Sequence, residues 1–175
     1  MSQGLEHQTV MAAQRGDRQA YTQLVRDHYQ GVFMTCLAVV GNPHDAEDLA
    51  QEVFITGLQR LGQLRESGRF AAWITQIARN HGINHLRDKR RLKMKAEKLK
   101  QQPTGHEPTH AVELERALQQ LPLELREPLV WHYLDGQSVQ TIAARLKLSA
   151  STIYQKLRQA HQQLRDLLAQ QGDVS

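Results

Sequence analysis

Apolar side chains recur at helical spacing along nearly the whole chain, and no segment alternates with the β-branched enrichment of a strand. The pattern predicts an all-α protein. Tyr21, Leu24, Val25, His28, Val32, Cys36 and Val39 form one apolar stripe. In GNPHDAEDLAQEVFITGLQRL, Asn42 can cap a helix and Pro43 suits its first position. Asp45, Glu47 and Asp48 then favour the positive helix end, and Leu49, Val53, Phe54, Leu58 and Leu61 supply its buried face. After the loop GQLRESG, Phe70, Trp73, Ile74, Ile77, Ile83 and Leu86 mark a further helix that runs into RDKRRLKMKAEKLK.

QQPTGHEPTH, residues 101–110, holds two prolines, a glycine and no aliphatic residue, which is the composition of a flexible connector. It divides the chain into two small helical domains, 1–98 and 112–175, joined by a linker at 99–111. Beyond it, Val112, Leu114, Leu118 and Leu121 predict a short helix that Pro122 interrupts. Leu125, Leu129, Val130, Tyr133 and Leu134 predict another, ending at Asp135-Gly136. Two helices follow closely: Val139 to Leu146 behind a Ser138 cap, and a longer one opening at Ser149. Ile142, Ala143 and Leu146 bury the edge of the first, Leu148 packs the turn, and Ile153, Leu157, Ala160 and Leu164 bury one face of the second. Ser151, Tyr154, Gln155, Arg158, Gln159 and Gln162 are left outward. A short helix, a tight turn and a Ser-capped helix whose exposed face has no acid make a helix-turn-helix. Such a face offers polar groups to base edges and cations to phosphates.

Charge sharpens this picture. The chain of 175 residues carries a formal net charge of +4, too small to decide anything until its distribution is known. Residues 65–100 hold eleven basic and three acidic side chains, and residues 136–165 hold five basic and none acidic. Between them, 101–135 has two basic against six acidic. Two positive zones therefore flank a negative one. The single cysteine, Cys36, lies in an apolar run, which excludes an internal disulfide framework and fits a reducing cytoplasm. No apolar run approaches the length of a membrane span, so neither export nor membrane insertion is expected.

FAAWITQIARNHGINHLRDKRR mixes aromatic, amide and cationic side chains on one helix. Unstacked bases need a stacking platform, hydrogen-bonding groups and a positive track, which Trp73, Asn80, Asn84 and Arg87 could supply. Phe70 and Trp73 fit the role of core anchors equally well. His81 and His85 have the i, i+4 spacing of a metal pair but lack a third ligand, so no metal site or cofactor is expected. Asp45, Glu47, Asp48 and Glu52 form an acidic row. Helix-dipole compensation explains its first members, whereas Asp48 and Glu52 repel each other unless something cationic meets them.

Three ordered stretches now carry a resemblance: DAEDLAQEVFITGLQRL, then FAAWITQIARNHGINHLRDKRR, then LPLELREPLVWHYLDGQSVQTIAARLKLSASTIYQKLRQAHQQLR. Together they resemble a bacterial RNA polymerase sigma factor of the extracytoplasmic function group, over about residues 10–168. The resemblance implies a transcription initiation factor and not an enzyme. It assigns core RNA polymerase binding to the helix of Asp45, Asp48, Gln51, Glu52 and Phe54. Melting of the promoter minus-ten element and capture of a flipped base fall to the helix of Trp73, Asn80, Asn84, Arg87, Arg90 and Arg91. Reading of the minus-thirty-five duplex, and contact with the polymerase flap, falls to the helix of Ser151, Thr152, Tyr154, Gln155, Lys156, Arg158 and Gln159. An anti-sigma protein is an implied partner. Ser151, Lys156 and Gln159 stand where the family usually has glycine, arginine and arginine, so promoter preference does not transfer. Two rivals remain. A stand-alone helix-turn-helix regulator leaves the first two stretches unexplained, and a helical metal-dependent enzyme would have to use His81, His85 and nearby carboxylates.

Overall fold

The structure, a computed structural model, describes residues 2–97 and 110–172. The regular elements among them are α1 (Ser2–Gln14), α2 (Arg18–Val40), α3 (Pro43–Arg60), α4 (Phe70–Glu97), α5 (His110–Gln120), α6 (Leu123–Tyr133), α7 (Val139–Leu146) and α8 (Ala150–Gly172), with 3-10 turns at Leu61–Gln63 and Ser67–Arg69. The expected linker at 99–111 lies outside the described residues apart from its last two positions.

Local chemistry sets the helix ends. Asp17 accepts hydrogen bonds from the Gln19 and Ala20 amides at 2.8 and 3.1 Å and so opens α2. Gly41 closes that helix at φ 73°, and Asn42 at once caps α3 by accepting from the Asp45 amide at 2.8 Å. The first unit packs α1 to α4 around Val10, Leu24, Val32, Val53, Phe70 and Ile74. Gln14 on α1, a helix the apolar pattern leaves unassigned, donates to the Leu61 and Leu64 carbonyls at 3.0 and 2.9 Å and fixes the turn after α3. Tyr21 donates its hydroxyl to the Phe54 carbonyl at 2.5 Å, and burial pushes its pKa up to about 12.

In the second unit, Ser138 caps α7 by accepting from the Thr141 amide at 3.1 Å. Lys147 then turns the chain in the left-handed region at φ 56°, and Ser149 accepts from the Thr152 amide at 3.1 Å to open α8. Ile142, Ile153, Leu157 and Ala160 bury the seam of this helix-turn-helix against Leu121 and Leu125. The periodicity also placed Leu58, Tyr133 and Leu134 inward. All three are exposed, each near the end of its helix.

The sequence leads one to expect two modules apart on a tether. Two helical units are present, with the helix-turn-helix in the second, but α6 docks on α2 and the apolar clusters merge into one core. Arg126, 3 % exposed, stands at the join. Its guanidinium donates to the Ala38 carbonyl at 2.9 Å and to that of Val39, the last turn of α2. It also donates to the Leu118 and Gln119 carbonyls at 3.0 and 3.2 Å, the last turn of α5. Glu127 beside it, 2 % exposed, accepts a fork of bonds from Arg79 of α4 at 2.7 and 3.1 Å. Arg145 of α7 lies 4.2 Å from the centre of the buried Trp131 ring and donates to Thr35 of α2 at 2.9 Å. Asn42 bonds Glu115 across the same join.

Two glycines test this packing in opposite directions. A Cβ at Gly82 of α4 would come within 2.8 Å of the buried Val39 side chain, whereas one at Gly31, inside α2, meets nothing within 4 Å. Urea unfolding should therefore show Gly82→Ala destabilised by about 1–3 kcal/mol and Gly31→Ala stabilised by about 0.5–1 kcal/mol.

Candidate nucleic-acid interface

Helix α4 presents three faces. Because 3.6 residues make a turn, Trp73, Asn80, Asn84, Arg87 and Arg91, spaced by seven, four, three and four, share one stripe. Asn80, Asn84, Arg87 and Arg91 are exposed, and Arg90 is exposed beside them. Gln76 donates to Asn80 at 3.0 Å, which orders that amide. Trp73 is half-buried with its ring centre 5.8 Å from that of Phe70, so it is core anchor and edge of the stripe at once. The second face carries Arg79 towards Glu127.

The third face meets the acidic row of α3. Lys89 donates to Asp45 at 2.7 Å, His85 lies 3.5 Å from the same carboxylate, and His81 lies 3.9 Å from Glu52. The two histidines thus oppose separate carboxylates, and no cluster of three or more His, Cys, Asp or Glu side chains suited to a metal forms among the described residues. Asp48, 3.4 Å from His44, stays exposed with Gln51 and Glu52, while Asp45 is half-buried and held by Lys89. Phe54, expected on the same face, is 6 % exposed and packs into the core beneath α3.

On α8, Ser151, Tyr154, Gln155, Arg158 and Gln159 are exposed as the pattern requires. Thr152 and Ser151 bond the Ser149 hydroxyl at 2.7 and 2.8 Å, so both belong to the helix cap. Lys156 departs from expectation. It sits on the flank, where its ammonium bonds Glu124 of α6 at 3.1 Å, and it points away from the outward face. Residues missed by the pattern extend that face. A groove of about 460 Å³ is lined by Tyr133, Tyr154, Arg158, His161 and Arg165, with the Tyr133 ring tilted against that of His161 at 4.7 Å between centres. The spacing Tyr154, Arg158, His161, Arg165 was the available signal.

Between them the two units therefore carry a polar, cationic stripe on α4 and, on α8, a polar face without carboxylates up to Asp166, each able to take phosphates, with amide and aromatic groups placed for bases. Cys36 is fully buried and its thiol is pushed up to about 12 by burial, aided by the charge of Glu52, which removes it from thiol chemistry. No helix of the described residues is long and apolar enough to cross a membrane.

Comparison with known proteins follows this division. The family description Sigma-70 region 2 matches residues 24–92, and Sigma-70, region 4 matches residues 111–164. The chain is 32 % identical over 167 residues to the ECF RNA polymerase sigma factor SigE of Mycolicibacterium smegmatis, covering 88 % of this chain and 65 % of that protein. It is also 32 % identical over 180 residues to the "Probable RNA polymerase sigma factor RfaY" of Xanthomonas campestris, covering 96 % of this chain and 45 % of that one. It thus spans under two thirds of either relative's length. The sigma factor RpoE of Bartonella quintana, solved in complex with the anti-sigma factor NepR, shares the fold at a TM-score of 0.62 and 19 % identity, covering 85 % of this chain and 96 % of that one.

The α3–α4 seam makes a pH prediction. Burial raises the Asp45 pKa, but the Lys89 hydrogen bond and charge, joined by His85, outweigh it and hold the carboxyl below its ordinary value. A depressed folded pKa means that the pairing stabilises fully above the unfolded value of about 3.9 and is lost as pH falls through the folded one. Lys89→Ala should move the Asp45 titration upward in carboxyl NMR; an unmoved titration would assign the shift to His85 alone.

Proposed function

This chain belongs to the sigma-70 family, in its extracytoplasmic function group, and from that premise we propose that it directs core RNA polymerase to promoters and helps open them, without chemistry of its own. The observation that carries this reading is the pairing of two nucleic-acid faces on separate units, each within its own family match. We divide the chain at 99–111, with polymerase docking and strand capture before it and duplex reading after.

In the first unit, the exposed carboxylates and amide of Asp48, Gln51 and Glu52 dock a cationic polymerase surface. On α4, Arg87, Arg90 and Arg91 take phosphates of the displaced strand, releasing counterions. Trp73, Asn80 and Asn84 hold unstacked bases, each stacked base returning about 1–3 kcal/mol against an unstacking cost of the same order. In the second unit, Arg158 and Gln155 read base edges of the minus-thirty-five duplex, Tyr154 and Gln159 flank them, and Ser151 and Thr152 present the amino end of α8 to the backbone. Lys156, bonded to Glu124, serves orientation of α8 and only secondarily phosphate. The relative in Bartonella quintana is bound by an anti-sigma factor, and a partner of that kind, together with action in the cytoplasm where polymerase works, belongs to the same reading.

The deciding experiment is a pull-down with core polymerase followed by transcription in vitro. Asp48→Arg should abolish capture; failure of the unsubstituted protein to bind core would return the chain to a stand-alone duplex-binding regulator. Arg158→Ala should cost about 1–3 kcal/mol, about five- to more than a hundred-fold, on the cognate upstream element and less on an altered one. Arg87→Ala should weaken all sequences alike and lower the salt slope by about one.

A further inference from the structure

We propose that the cavity between α2, α4, α6 and α7 is a binding site for a small organic phosphate, held by Arg79, Arg145 and Lys147. It lies apart from the two nucleic-acid faces, and binding to it can be measured on the chain alone.

The cavity has a volume of about 580 Å³, within the range of small-ligand sites. Three cations line it, Arg79 from α4, Arg145 from α7 and Lys147 at the end of α7, and its lining residues include no carboxylate. Ala72, Gln76 and Lys147 are exposed, which gives a ligand a way in. The first turn of α4 holds no acid and contributes Ala71 and Ala72 to the same wall, so the positive end of a 28-residue helix adds to the field.

Arg145 is the centre of the site. A guanidinium withdrawn from water is ordinarily met by a carboxylate. Here its contacts among the described residues are neutral: the Trp131 ring at 4.2 Å and the Thr35 hydroxyl at 2.9 Å. Burial pulls its pKa down, and the charges of Asp135 and Glu127 push back without forming an ion pair with it. The Thr35 bond uses Nη2, which leaves the donors on Nε and Nη1. Arg79 gives Nε and Nη2 to Glu127 and keeps Nη1, and Lys147 adds its ammonium.

The hydroxyls of the wall are spent. Thr35 donates to the Gly31 carbonyl at 2.7 Å and Thr75 to that of Ala71 at 2.8 Å. The donors left to a ligand are therefore cationic, and a ligand must bring acceptors and negative charge. A phosphate ester brings both, in the geometry that guanidinium forks match. Ala71, Ala72 and Leu146 add apolar wall, and the volume exceeds that of a bare ion, so the phosphate carries an organic body. Because Arg145 is half-buried and Thr35 is 1 % exposed, a terminal phosphate that can enter a recess fits better than one set within a strand.

Adenosine 5′-monophosphate is the probe, with adenosine, and potassium chloride at matched ionic strength, as controls. In the millimolar range the monophosphate should raise the unfolding temperature of the full chain progressively with concentration, as a ligand of the folded state must, and the controls should not. Lys147→Asn removes a charge at an exposed position whose φ of 56° asparagine tolerates, so the fold is kept. It should weaken binding of the monophosphate about five-fold, and Arg145→Gln about ten-fold or more. Arg60→Gln, at an exposed cation on α3, should change nothing. If Arg145→Gln fails to fold, Lys147→Asn decides alone. No shift with the unsubstituted chain, an equal shift with adenosine, or a shift that the cavity substitutions leave intact overturns the site. So does a Lys147→Asn protein that binds the monophosphate as before but loses affinity for duplex DNA, which would assign these cations to nucleic-acid phosphates.

Discussion

The last turns of two helices of this chain present carbonyl groups to one side, and one guanidinium takes hydrogen bonds at both ends. The last turns of α2 and α5 point their negative dipole ends at Arg126, which neutralises them with hydrogen bonds worth about 1.5–3 kcal/mol each where a charge is involved. Burial pulls the Arg126 pKa down, with the neighbouring Glu127 charge pushing back, and the group stays charged. Much else follows from this placement. Gly41 has to be glycine twice over, since it sits at φ 73° and a Cβ there would lie 2.9 Å from the guanidinium. Because α6 carries Arg126, Glu127 and Trp131 in sequence, fixing the first brings the other two against Arg79 and Arg145.

The same join explains the charge zones. The acidic middle of the sequence does not form a surface of its own. Glu127 turns to Arg79 of α4, Glu115 to the Asn42 cap of α3, and Glu124 to Lys156, so these three carboxylates each lie on a cation or amide from outside the acidic stretch. Within the first unit the acidic row divides likewise. Asp45 faces Lys89 and His85, and Glu52 has His81 within 3.9 Å, whereas Asp48 remains at the surface with only exposed His44 near it. Two members of the row thus meet basic side chains of α4, whereas Glu47 and Asp48 remain exposed with their charge available to a partner.

Features governed by neighbours in sequence were legible there. Caps at Asn42, Ser138 and Ser149, the break at Pro122 and the outward set on α8 depend on residues within one or two turns, and pattern rules capture such distances. Three features were not. The burial of Phe54 and the bond from Lys156 to Glu124 are set by neighbouring helices, since α3 packs between α2 and α4, and α8 is flanked by the acid of α6. Burial of Arg126 and Glu127 runs against every compositional prior for charged residues. Their partners on the other unit lie 48 to 88 positions away, beyond the reach of any periodic pattern.

Helix α4 shows how one helix serves packing and solvent at once. Arg79 holds Glu127 on one side of the helix while Asn80 and Arg87 stay open on another, so docking of the second unit covers neither of these side chains. The 3.6-residue period is what separates the two roles: residues 79 and 80 stand about 100° apart on the helix, far enough for adjacent positions to meet the partner unit and solvent.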